Sequence, residues 1–186
     1  MIRLIAALVF VLAASAVRAA PAPVWTVDKT ASSIRFSSSY EDTAFSGGFS
    51  RWDADIRFDP ANLAGSSVSA TIEVASAATG NADRDQALPT DTFFDAGKFP
   101  RAQFIAHTFK TLGPGRYEAI GTLTLRGVVK PLTLPFTLAI KGDEARMTAS
   151  ISLDRLAFGI GQNEWRSTAS VPAAVKVTIA LSARRR

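Results

Sequence analysis

From Gly121 to Ile140 the chain reads GTLTLRGVVKPLTLPFTLAI. Leu123 and Leu125 alternate with threonines; Leu132, Leu134, Phe136, Leu138 and Ile140 alternate with Thr133, Pro135, Thr137 and Ala139. A period of two puts the large apolar side chains on one face of extended strands. The same alternation recurs at Trp25 and Val27, Ile34 to Tyr40, Phe45 to Phe49, Ile56 and Phe58, Val68 to Val74, Ala102 to Ala106, Met147 to Leu153 and Val175 to Leu181. Asp59-Pro60, Gly113-Pro114-Gly115 and Lys141-Gly142-Asp143 punctuate it. This predicts about eight or nine strands joined mostly by short turns in an antiparallel meander.

One stretch breaks the pattern, GNADRDQALPTDTFFDAGKFP at residues 80–100. Asn81 can cap a helical turn through Leu88, stopped by Pro89. Thr90 or Asp91 can cap a second, ending near Gly97. A single antiparallel sheet of this many strands curls, splits or closes, and closure removes its exposed edges. Gly47, Gly48, Gly121 and Gly127 stand where a coiled barrel bends. The expected fold class is therefore all-β: an antiparallel barrel of about eight strands with a short helical insert near 81–96 and its leucine and phenylalanine face turned inward. A packed β-sandwich without a cavity, serving as an interaction module, leaves a similar pattern. So does a small outer-membrane barrel with the apolar face outward, against which stand the helical insert, the arginine terminus and the lack of aromatic girdles.

The amino terminus reads differently. Met1-Ile2-Arg3 is a short positive start, Leu4 to Ala14 an apolar run, and Ser15 to Ala20 a small-residue region with Val17 and Ala19 at the −3 and −1 positions of a cleavage site. Residues 1–19 are expected to be a secretory signal peptide, residues 20–186 a single domain, and the location periplasmic. No cysteine occurs. Disulfides, thiolate metal sites and thiol nucleophiles are thereby excluded. Removing Arg3 and Arg18 with the leader lowers the formal charge from +5 to +3. Arg184, Arg185 and Arg186 read as a solvated tail, with attraction to anionic lipid as the sharper alternative. The other cations are scattered and no basic stripe interleaves with aromatics, so a nucleic-acid partner is not expected.

Chemistry is hard to find. His107 is the sole histidine, lies opposite Phe104 in its alternation, and meets no Gly-x-Ser-x-Gly elbow. One histidine with scattered carboxylates gives no zinc spacing. Asn81, Asp83 and Asp85 imitate the start of a calcium loop, but Gln86 stands where its glycine belongs and Thr92 where its last carboxylate belongs. Gly159-Ile160-Gly161 lacks the strand, helix and third glycine of a nucleotide site. No catalytic residue, no metal and no cofactor are expected, although an enzyme of unrecognised mechanism remains an alternative.

Several stretches together resemble one family: FSGGF with DADIRFDPANL, TGNADRDQALPTDTFFDAGKFPRAQF, GTLTLRGVVKPLTLPF, and AFGIGQNEW. They are similar to the YceI-like family of bacterial exported proteins, over nearly the whole chain after the leader. The resemblance implies a lipocalin-like barrel whose apolar tunnel holds a polyisoprenoid or similar long lipid, such as a prenyl quinone or polyprenyl phosphate, without catalysis. The lipid is then a ligand rather than a cofactor. The wall is expected from Phe36, Phe49, Ile72, Phe94, Phe104, Leu123, Leu125, Leu134, Phe136, Leu138, Phe158 and Trp165, with Arg84 and Asn163 as head-group candidates. The FGIGQNEW ending resembles the branch associated with b-type membrane cytochromes, which implies transient contact with such a cytochrome or with a membrane surface; Arg166-Ser167-Thr168-Ala169 departs from that branch. An exposed apolar patch from Phe45 to Trp52 would suit a homodimer.

Overall fold

The computed structural model describes residues 21–186, so the leader lies outside the described residues. Strands β1 (Val24–Val27), β2 (Ser33–Tyr40), β3 (Thr43–Phe49), β4 (Trp52–Arg57), β5 (Ser67–Glu73), β6 (Ala77–Ala78), β7 (Arg101–Gly113), β8 (Arg116–Leu125), β9 (Val128–Lys141), β10 (Glu144–Asp154) and β11 (Ala174–Arg185) form one antiparallel sheet. Pairing of β1 with β11 closes it into an eight-strand barrel.

Eleven segments make eight staves because the first three staves are each broken. β1 and β2 are parted by a turn in which the Asp28 carboxylate accepts the Thr30 N–H at 2.9 Å and its hydroxyl at 2.7 Å. β3 and β4 are parted at Ser50-Arg51, and β5 and β6 by a 3-10 turn at Val74–Ser76. At the lower end, β1 pairs with β4 and with the last residues of β11. At the upper end, β2 pairs with β3 and with the first half of β11. The breaks let one stave lean from one neighbouring segment to the next, which tightens the coil.

Pairing of β7 with β8 shifts register between Ala106 and Thr108. The bulge re-phases the alternation. Phe104 and Ala106 are buried, His107 is exposed, and Phe109 is half-buried in the core although its parity in the sequence is opposite. Gly121 sits across from this bulge, where a Cβ would overlap the Ile105 carbonyl oxygen. Only glycine fits.

Three expectations are corrected. The insert holds one helix, α1 (Ala82–Ala87), while residues 90–99 form successive turns, with Phe93 and Asp95 N–H both donated to the Thr90 carbonyl. Thr90 is not a second cap: its hydroxyl turns back to the Ala87 carbonyl at 2.7 Å. The terminal arginines are solvent-exposed as expected but do not form a free tail: Arg184 and Arg185 continue β11, paired with Thr26 and Trp25, and Arg184 reaches Glu144 at 2.8 Å. Nor do Phe45 to Trp52 form an outer patch. Phe45 and Phe49 face the barrel interior, and Trp52 is half-buried with the Lys29 ammonium 4.1 Å from its ring centre.

Candidate functional site

The inward faces do not meet. They enclose an apolar tunnel of about 320 Å³ that reaches from Trp25 and Phe58 at the lower end to Leu88, Phe93 and Ile160 at the upper end. Protein interiors contain few voids larger than a water molecule. An apolar cavity of about 150 Å³ already holds a benzene, so this volume is of ligand size and stays dry when empty. Of its lining residues only Ser38, Arg57, Ser67 and Arg155 are polar.

Aromatic rings close the lower end. The Phe58 ring centre lies 5.4 Å from Phe109, 5.3 Å from Tyr117 and 5.8 Å from Phe136, all edge to face. Tyr117 stacks on Phe136 at 5.6 Å. The Trp25 indole N–H donates to the Phe58 carbonyl at 2.9 Å, and the Arg185 guanidinium covers its ring.

A cap closes the upper end, built from the 79–100 insert and the 155–173 loop. The Thr92 carbonyl accepts the N–H groups of both Gly161 and Gln162 at 2.9 Å. The Arg126 guanidinium, at the β8–β9 turn, donates to the Asp91 and Gly159 carbonyls. Arg155 is 5% exposed and anchors the loop from within. Its Nε donates to the Pro172 carbonyl, one terminal nitrogen to those of Ile160 and Trp165, the other to those of Ser167 and Val171. Burial pushes its pKa down. Five carbonyl dipoles stand where a carboxylate partner would otherwise be needed.

Within the insert, the Asn81 side chain accepts the Arg84 N–H at 3.0 Å and caps α1. The second acid of the calcium-like stretch is committed elsewhere. Asp85 accepts the Thr79 hydroxyl at 2.8 Å, the Thr79 N–H at 2.7 Å and the Gly80 N–H at 3.2 Å. These bonds, the Thr79 hydroxyl first, hold its carboxyl below the usual carboxylate range. A depressed folded-state pKa contributes stability above the unfolded-state value that is lost as pH falls through the folded one. Asp85→Asn is therefore expected to melt at a lower temperature at neutral pH and to show a shallower fall in melting temperature on acidification, read from thermal scans down to pH 3. An acid limb unchanged from wild type would show that these bonds do not act.

Phe36, Phe49, Ile72, Phe94, Phe104, Leu123, Leu125, Leu134, Phe136, Leu138 and Phe158 line the tunnel. Trp165 does not. It is half-buried on the outer side of the cap, its ring 5.5 Å from Phe93 and 6.0 Å from Tyr40, so it backs a wall residue instead of forming the wall. The head-group candidates also stand outside the lining. Arg84 Nε donates to the Thr79 hydroxyl at 3.3 Å and its guanidinium lies 4.7 Å from the Phe45 ring centre, while Asn163 is exposed with φ 55°. Sequence reasoning did not select Trp25, Phe45, Phe58, Phe93, Phe109 or Arg155. Trp25, Phe45 and Phe58 carried an alternation signal; Phe109 was hidden by the bulge, and nothing local marks Arg155.

A closed antiparallel barrel around a capped apolar tunnel defines a lipocalin-like protein. Residues 25–183 match the model of the YceI-like domain, and the chain belongs to the YceI-like family. A UPF0312 protein of Yersinia pestis (strain Pestoides F) is 39% identical over 98 residues, 53% of this chain and 50% of that protein. A UPF0312 protein of Pseudomonas savastanoi pv. phaseolicola is 33% identical over 98 residues, 53% and 51% of the two chains. The chain thus spans about half the length of the curated relatives it matches. Among solved structures, BcnA of Burkholderia cenocepacia superposes with a TM-score of 0.81 at 29% identity, over 84% of this chain and 99% of that one. A polyisoprenoid binding domain from Saccharophagus degradans, implicated in plant cell wall breakdown, shares the fold with a TM-score of 0.71 at 16% identity, over 88% and 99%.

Proposed function

We propose that this protein is a non-catalytic binding protein that holds a polyisoprenoid or similar long apolar lipid in its barrel tunnel, for transport, storage or sequestration. The observation that carries the reading is the continuous apolar lining of a ligand-sized tunnel. Burying one five-carbon isoprene unit contributes roughly 3–4 kcal/mol, at about 0.8 per CH₂-sized group. Association costs about 4–15 kcal/mol, so affinity requires a handful of buried units. That favours a chain over a compact ligand. The Saccharophagus domain of the same fold, described as polyisoprenoid binding, supports this choice. The lining holds no histidine or carboxylate to move a proton, and His107 is exposed on the outer face, which favours binding over turnover. Export to the periplasm, and contact with a membrane surface or b-type cytochrome, belong to the same proposal and rest on the leader and on the AFGIGQNEW ending.

Native mass spectrometry followed by lipid extraction from the purified protein tests the reading. A co-purifying long-chain lipid, displaced by an excess of a prenyl quinone, is the expected result. A protein that carries nothing and fails to bind geranylgeraniol or prenyl quinone in titrations would overturn it.

A further inference from the structure

One joint of the barrel is only half zipped. β9 pairs with β8 from Arg116↔Thr137 to Leu125↔Val128, and β10 pairs with β11 from Glu144↔Arg184 to Asp154↔Ala174. β9 and β10 pair with each other only from Glu144↔Lys141 to Ala149↔Phe136. Above that point they part, leaving residues 131–135 facing 150–154 without a rung between them.

The sequence supplies the cause. Lys141 and Glu144 flank a two-residue turn, the position of a pair that exchanges both backbone hydrogen bonds. Every second residue back along β9, through Ala139 and Thr137, then turns its nitrogen toward β10. Leu138, of the other parity, donates its N–H the opposite way, to the Gly115 carbonyl at 2.8 Å. The next rung falls to Pro135, and the second rung beyond that, past Thr133, to Pro131. Neither has an N–H to give. The ladder stops where the first proline stands.

Behind the gap lie tunnel residues: Leu132 and Leu134 from β9, Ile151 and Leu153 from β10. Above it crosses the Leu156–Phe158 turn, fixed by the Asp154 carboxylate and by the Arg126 bond to Gly159. On its outer rim Val129 is 61% exposed beside Val128. Both ends of the tunnel, by contrast, are shut by hydrogen-bonded or ring-stacked structure. End-on passage breaks the cap bonds at Thr92 and Arg126 or unpacks the rings around Phe58; passage through the gap parts apolar side chains and breaks no rung.

We propose that the β9–β10 gap is a side entrance through which an apolar lipid chain is laid lengthwise into the tunnel, with Val128 and Val129 as its first apolar contacts. This rests on the reading of the tunnel as a lipid site. Because the chain has no cysteine, Pro135→Cys with Ser150→Cys provides a single reversible staple across the gap. Thr148→Cys with Ala180→Cys, a register pair of β10 and β11, is the control. Uptake of geranylgeraniol is followed by stopped-flow fluorescence of Trp25, which lines the tunnel. Oxidising the gap staple is expected to slow uptake at least about tenfold while the equilibrium Kd stays within about threefold, with reductant restoring the rate and the control unaffected. A second variant, Pro131→Thr with Pro135→Thr, restores both donors; it should also slow uptake and should protect the Ser150 and Ser152 amides from hydrogen exchange. Uptake at the same rate with the staple closed would overturn the side entrance and place the route at an end. No geranylgeraniol binding by wild type would overturn the lipid-site reading and the entrance with it.

Discussion

Ala119→Phe is expected to abolish lipid binding while the barrel stays folded. Ala119 is 2% exposed, lines the tunnel on β8, and pairs across the sheet with Phe109 and Leu134. A benzyl ring added to a filled core forces neighbours off their rotamers at about 1–3 kcal/mol. Here the ring enters a void of about 320 Å³ that has no partner atoms. The apolar surface it buries offsets the local crowding, so the melting temperature should change by no more than about 3 °C, the equivalent of about 1 kcal/mol. The same ring occupies the path of the ligand. Kd for geranylgeraniol should rise about a hundredfold or more, a loss of about 2.7 kcal/mol. Titration and thermal melting on the one variant separate the cases. A variant that melts far below wild type, or one that binds as wild type does, would mean that the tunnel is filled or that the ligand lies elsewhere.

Arg155→Met should be among the most destabilising substitutions in the chain. Methionine keeps much of the length and none of the donors, so the carbonyls of Ile160, Trp165, Ser167, Val171 and Pro172 lose their shared partner inside a closed cap. Removing one side of a buried charged network costs about 3–5 kcal/mol. For a chain of this size that corresponds to a fall of about 6–20 °C in melting temperature. Arg155→Lys keeps the charge with three donors in place of five and should fall between the two. Chemical denaturation gives the number directly. A loss below about 1 kcal/mol would show that water or a rearranged loop satisfies those carbonyls equally well.

The two variants probe features of different origin. Ala119 belongs to an alternation that is plain in the sequence, and so do Leu123, Leu134 and Phe136; their inward face is a property of strand geometry, set by neighbours two residues away. The cap on α1 was legible for the same reason, because Asn81 and Pro89 act on the backbone within one turn. Arg155 was not legible. Its partners are carbonyls, which any residue carries, brought round it by a loop that folds back. Trp165 was misplaced by the same limit: an aromatic residue in a loop bears no parity, and only the meeting of Tyr40, Phe93 and the 155–173 loop puts it behind the wall.

The prolines of β9 mark the boundary between the two kinds of knowledge. That Pro131 and Pro135 cannot donate a hydrogen bond is certain from the sequence; that the missing donors face β10 and not β8 depends on the turn at Gly142 and on which strand lies on which side. The sequence by itself determined an all-β chain with inward leucines and phenylalanines, a capped helical turn in one insert, and an interior free of thiols. Those follow from local covalent geometry and side-chain chemistry. Only the tertiary structure decided that the first three staves break, that a bulge carries Phe109 inward, and that the apolar faces stand apart around a tunnel instead of meeting. Volume at the centre of a barrel depends on strand number, stagger and closure together, quantities summed over the whole chain.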